Sequence, residues 1–131
     1  MKILESAENY LESILMIGKE KSSVRAIDVV NHLGFSKPSV SIAMKQLETN
    51  GYITRDEDGF IHLTESGSEI AERVYERHEL LTRHFISIGV SPETAREDAC
   101  RVEHYISQET FEALQKHHLK NHILKGQEQD Q

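Results

Sequence analysis

Apolar side chains recur at Ala7, Tyr10, Leu11, Ile14 and Leu15. That is the i, i+3, i+4 spacing of one helix face, and it predicts a first helix over residues 6–19. Ala26 to Leu33 (AIDVVNHL) reads as a second, short helix stopped by Gly34. Ser36 then has the chemistry of an N-cap, with Pro38 inside the first turn, where its missing N–H costs nothing. A third helix runs from there to Asn50-Gly51. Two short β-prone runs follow, Tyr52 to Arg55 and Phe60 to Leu63. They flank Asp56-Glu57-Asp58-Gly59, which signals a hairpin.

Beyond Thr64–Gly67 the period is helical again. Ile70, Val74, His78, Leu81, Phe85 and Ile88 fall on one face of a long helix ending near Gly89. Ser91-Pro92 repeats the cap-and-proline pair and opens a helix through Ala95, Ala99, Val102 and Ile106. Ser107 caps a last helix carrying Phe111 and Leu114, and the tail after Lys125 is polar. Three helices and a hairpin, then helices alone, predict a mainly α chain. The order predicts a winged helix-turn-helix over residues 1–64 and an all-helical domain over residues 65–131. The later helices carry more apolar surface than one short domain covers internally. A dimer interface is therefore expected within residues 91–125, through Val102, Ile106, Phe111 and Leu114.

Composition narrows the setting. The net charge is −7, which argues against a purely electrostatic nucleic-acid coat. Residues 1–64 carry −2 and residues 65–131 carry −5, but the stretch from Gly34 to Arg55 is locally +2. A DNA-binding face can exist there on an acidic chain. One cysteine excludes an intrachain disulfide and fits a reducing cytoplasm. The first residues hold Glu5, Glu8 and Glu12, unlike a signal peptide. No apolar run approaches the ~20 residues of a membrane span.

Two clusters carry chemistry. In the helix-turn-helix order, the start of the third helix enters the major groove and presents Ser36, Lys37, Pro38, Ser39 and Ser41. Hydroxyls there can reach bases or phosphates. Lys37, Lys45, Arg25 and Arg55 suit phosphates. A protein-binding winged helix is the blander reading of the same elements. The second cluster is Cys100, Glu103 and His104, spaced i, i+3, i+4. At ~100° per residue these side chains share one helix face. Thiolate, carboxylate and imidazole are three different metal ligands. Asn9 and Glu12 on the first helix and His78 on the fourth offer further donors, whereas an isolated histidine on an apolar stripe is more often a core residue. His117, His118 and His122 (KHHLKNH) read as a solvated helix face, and His32, His62 and His84 as structural or surface residues.

The stretches AENYLESIL, SKPSVS, GYI, LTESG, YERHELL and ACRVEHYIS together resemble the diphtheria-toxin-repressor family, including its short manganese-transport-regulator branch. The resemblance covers essentially the whole chain. It implies a winged helix-turn-helix followed by a helical dimerisation domain, with divalent Fe or Mn turning on operator binding. It carries the ligand roles to Asn9, Glu12, His78, Cys100, Glu103 and His104. Position 9 is Asp in the manganese branch and Met in the iron branch. Cys100 matches the iron branch, where the manganese branch has Glu. Thr82 and Arg96 replace ligands of the iron branch's ancillary site, and Ile42 stands at a recognition-helix position that is polar in the toxin repressor. The third, SH3-like domain of longer members is not expected.

The expected function is thus a cytoplasmic, homodimeric, metal-activated repressor of metal-uptake genes, binding a palindromic double-stranded DNA operator, and not an enzyme. The softer thiolate favours Fe(II), with Mn(II) next and Co(II), Ni(II) or Zn(II) as surrogates. Two alternatives stay open. One is a winged-helix regulator sensing an organic ligand without metal. The other is a dinuclear metal hydrolase using Glu8 as base.

Overall fold

The computed structural model describes residues 5–129, and side-chain surroundings through residue 120. His122 and the tail after Lys125 lie outside the described side chains. The elements run α1 (Glu5–Glu20), α2 (Ala26–Leu33), α3 (Lys37–Thr49), β1 (Ile53–Arg55), β2 (Ile61–Leu63), α4 (Glu65–Ser87), α5 (Pro92–Val102) and α6 (Gln108–Gln129). The chain divides into two compact units, Met1–Tyr75 and Glu76–Gln131. The division falls inside α4.

The first unit is built around one apolar cluster. Leu11, Val29, Val40 and Met44 are fully enclosed in it, with Tyr10, Ile14, Ile17, Leu47, Ile53 and Ile61 around them. The local signals fold as the sequence predicts. Gly34 closes α2 in the left-handed region at φ 72°, its N–H donating to Val30 O at 2.8 Å. A residue without Cβ enters that region at little cost. Ser36 Oγ caps α3 by accepting from the Ser39 N–H, and Pro38 sits in the first turn. Asp28 receives the Arg25 N–H at the start of α2 and pairs with Lys21 at 2.7 Å. Those two bonds, Lys21's first, hold its carboxyl below the usual range.

The hairpin pairs antiparallel, with Thr54 opposite His62. Asp56 organises its turn: Oδ1 accepts from the N–H groups of Asp58 and Phe60, both at 3.0 Å, and Oδ2 pairs with His62 at 3.1 Å. His62, then the backbone donors, lower the Asp56 pKa. Val24, in the loop after α1, accepts from the Ile61 N–H at 2.7 Å, which fastens the wing to the helical core.

In the second unit the buried apolar residues are Leu80, Leu81, Ala95, Ala99 and Phe111. Two expectations shift here. Ile88 falls beyond the end of α4 and is 66% exposed, because the chain turns through Gly89 at φ 105°. Ile106 falls beyond the end of α5.

Gly67, in the first turn of α4, packs against backbone. A Cβ added there would lie 2.0 Å from Tyr52 O, the carbonyl that already accepts the Thr64 N–H at 3.0 Å. Gly→Ala inside a helix ordinarily stabilises by about 1 kcal/mol. Here the sign inverts, since backbone cannot retreat as a flexible side chain can. Gly67→Ala should lower unfolding free energy by about 1–3 kcal/mol, read from urea denaturation. A gain in stability would show that the close approach is absent.

Candidate functional site

α5 stops at Val102, so Glu103 is not inside a helix but is its C-cap, and His104 lies in the turn that follows. The Glu103 backbone is still right-handed helical, at φ −55° and ψ −28°, and its N–H donates to Ala99 O at 2.9 Å, so Cys100 and Glu103 keep their i, i+3 relation up to the end of the helix. Cys100 is exposed, whereas Glu103 is 1% exposed and the His104 side chain is almost wholly buried. The turn brings two imidazoles to the buried carboxylate. His78 Nδ1 lies 2.9 Å from Glu103 Oε2, and His104 Nε2 lies 3.5 Å from Glu103 Oε1. With Nδ1–H donating to the carboxylate, a neutral His78 keeps its lone pair on Nε2.

Arg77 sets this turn. Its Nη1–H donates to the carbonyls of Glu103 (3.3 Å) and Ile106 (2.9 Å), and Nη2–H donates to Gln108 Oε1 at 2.9 Å. The guanidinium also lies over the Phe111 ring, 5.5 Å from its centroid. One planar fork thus ties the end of α5 to the start of α6. The sequence gives little warning of this role beyond the adjacency of Arg77 to His78.

Two imidazoles and a carboxylate form a donor set that fits a divalent transition ion. A carboxylate this buried also needs cationic or hydrogen-bonding company. In the first unit, Glu12 is buried and Asn9 half-buried on α1. Neighbouring Glu8 accepts from Arg73 Nη2–H at 3.0 Å, which engages the carboxylate otherwise available as a hydrolytic base. Ser13 Oγ lies 2.8 Å from His32 Nδ1, so His32 is structural, as its sequence context suggests.

Along α3, Lys37, Pro38, Ser39, Ser41 and Lys45 are exposed, together with Ile42. Ser36 is committed to capping and also donates to Ser39 Oγ at 2.9 Å. Both arginines have partners. The Arg25 guanidinium stacks on Phe60 at 4.4 Å, and Arg55 pairs with Glu48 at 3.3 Å. Of the residues expected at a dimer interface, Val102 is exposed and Ile106 and Leu114 are half-buried. Phe111 is only 4% exposed and sits under Arg77, so it serves the core of its own unit. Tyr105 is 76% exposed.

A model of the iron dependent repressor N-terminal DNA binding domain matches residues 2–59, and one of the iron dependent repressor metal binding and dimerisation domain matches residues 64–121. The transcriptional regulator MntR of Escherichia coli is 36% identical over 120 residues, covering 88% of this chain and 77% of that protein. The chain belongs to the iron-dependent repressor family. It is a metal-dependent transcriptional regulator of that family and not an enzyme. The MntR of Salmonella typhimurium is also 36% identical, over 110 residues, covering 84% of this chain and 70% of that one. That of Bacillus subtilis is 30% identical over 109 residues, covering 83% and 77%.

Among solved structures, the fold is shared with the manganese regulator SloR. The TM-score is 0.75 at 23% identity, over 84% of this chain and 52% of that one. It is shared equally with IdeR of T. acidophilum, at TM-score 0.75 and 24% identity, over 89% and 55%. The chain thus spans about half the length of those two regulators. No described helix is long and apolar enough to cross a membrane.

Removing the Arg77 fork leaves partly buried carbonyls unsatisfied. Arg77→Ala should therefore cost about 2 kcal/mol or more of unfolding free energy. Arg77→Lys should recover less than half of that loss, because an ammonium cannot bridge three acceptors spread along a turn. Paired urea titrations check both values. Full rescue by lysine would mean that charge, not the fork, holds the turn.

Proposed function

We propose that the chain is a metal-activated repressor of metal-uptake genes. It acts in the cytoplasm as a homodimer on a palindromic DNA operator. The observation that carries this reading is the buried Glu103 carboxylate between His78 and His104, on a chain that also holds a DNA-binding domain. The proposed ligands are Asn9, Glu12, His78, Cys100, Glu103 and His104. A bound divalent ion supplies positive charge to carboxylates that are otherwise costly to bury.

The proposed DNA contacts are Lys37, Pro38, Ser39, Ser41 and Lys45 on α3, with Ser36 ordering the helix start and Arg25 and Arg55 at the flanks. Two recognition helices, one from each subunit, suit half-sites one turn apart, a spacing of ~34 Å. Dimer contacts are proposed through Val102, Ile106 and Leu114. Phe111 supports them from within. Activation is linkage: metal shifts the DNA-competent population only by its differential affinity for that state.

A gel-shift titration on the regulated promoter tests this. Operator binding should rise on adding Fe(II) or Mn(II) and collapse in excess chelator. Binding unchanged by chelator would sink metal activation and favour a regulator that senses an organic ligand.

We further propose Fe(II) as the preferred activator, with Co(II) or Ni(II) as surrogates and Mn(II) weaker. Thiolate is softer than carboxylate, and Cys100 and Asn9 stand where the manganese branch has acidic residues. The exposure of Cys100 favours a second reading. If the thiolate stays outside, the remaining carboxylate and imidazole donors accept Mn(II) more readily. Cys100→Glu should move the metal response of operator binding toward Mn(II). If wild type already responds best to Mn(II), and Cys100→Ala binds DNA as well as wild type, Cys100 is no sensing ligand and the Fe(II) preference is wrong.

A further inference from the structure

The second unit carries histidines that the proposed ligand set leaves unused: His84 near the end of α4, and His117 and His118 on α6. His84 Nδ1 lies 3.0 Å from His118 Nε2, with the two rings nearly perpendicular at 87°. His117 meets the His118 ring edge-on at 5.6 Å. Both paired rings are half-buried, so His118 is not on the freely solvated face that the sequence suggests.

Two neutral imidazoles at that separation can share a hydrogen bond. The same separation also fits two ligands on one ion. Metal–nitrogen bonds of about 2.1 Å at right angles place their donors about 3.0 Å apart. We propose that His84 and His118 form a second metal site, for a borderline-soft divalent ion such as Ni(II) or Cu(II), separate from the set around Glu103. Imidazole donors without a carboxylate favour those ions over Mn(II), whose preference is for oxygen.

Only the neutral ring is a ligand. Burial, and then the neighbouring His84, His117 and Arg83, lower the pKa of His118 and so favour the ligand form. Arg83 also repels an incoming cation, so binding should be moderate rather than tight. His117, the adjacent residue on α6, points to a different side of the helix and is not counted among the ligands.

Calorimetric titration of the full chain with Ni(II) separates this site from the Glu103 set. A binding event should survive in Glu103→Gln. In His84→Gln and in His118→Gln it should weaken by more than the ~10-fold typical of losing an outer-shell partner. Mn(II) should give no such event in Glu103→Gln. On wild-type protein, substoichiometric Ni(II) should broaden the ring resonances of His84 and His118, a readout that needs no substitution. Isotherms of the two histidine variants that superimpose on wild type, an event lost in Glu103→Gln alone, or sharp His84 and His118 signals beside broadened His78 and His104 would each overturn the assignment. Failure of operator binding to respond to metal would leave these readouts untouched.

Discussion

The surroundings of the turn after α5 answer to one constraint: the Glu103 carboxylate is out of water. A lone buried carboxylate is among the costliest groups a small domain can hold, and its polar partners must come from fixed directions. Two imidazoles lie against it, one from α4 with Nδ1 at 2.9 Å and one from the residue next in sequence with Nε2 at 3.5 Å. At the end of α5, Glu103 and the His104 side chain are buried while Cys100 is exposed. Arg77 then secures the turn through the main-chain carbonyls, which fixes backbone position without competing for the carboxylate.

The parts of this architecture written into the sequence are the ones specified over a few residues. Ser36 and Ser91 announce helix starts, each with a proline just inside, and Gly34 announces a stop. An aspartate–glycine turn between β-prone runs marks the wing. All of these are short-range, so spacing reveals them. The ligand-bearing residues were legible as residue types, but not their geometry. The period that placed Cys100, Glu103 and His104 on one helix continues through Ile106. Nothing local records that Arg77, far back on α4, donates to the carbonyls of Glu103 and Ile106 where α5 ends. The same limit applies to Phe111. Its apolar character is evident, but whether it is covered by its own chain depends on a guanidinium many residues away. The His84–His118 pair is likewise a product of packing, since the two rings are far apart in sequence.

Family membership and local chemistry complement each other here. The matched halves account for a winged helix-turn-helix joined to a metal-binding and dimerisation domain. The departures noted from the resemblance, Asn9 from both branches, Cys100 from the manganese branch and Ile42 from the toxin repressor, fall on proposed ligand and recognition-helix positions rather than on the apolar core. The apolar cluster of the first unit is unremarked by those differences, as Leu11, Val29, Val40 and Met44 remain fully enclosed.

The ion pair between Arg55 and Glu48 has a consequence for how strongly salt governs this DNA-binding domain. Each cation that meets a phosphate releases condensed counterions and steepens the fall of affinity with ionic strength. An arginine that already holds a carboxylate must trade one anion for another, and its net release is correspondingly small. Arg25, stacked on Phe60, has part of its face occupied as well. If α3 makes the proposed DNA contacts, Lys37 and Lys45 set most of the ionic sensitivity. On the same proposed contacts a larger share of recognition would pass to uncharged groups of α3, where Ile42 is 61% exposed and an apolar side chain suits thymine methyl groups. Discrimination by such contacts persists at ionic strengths that strip away charge-led binding.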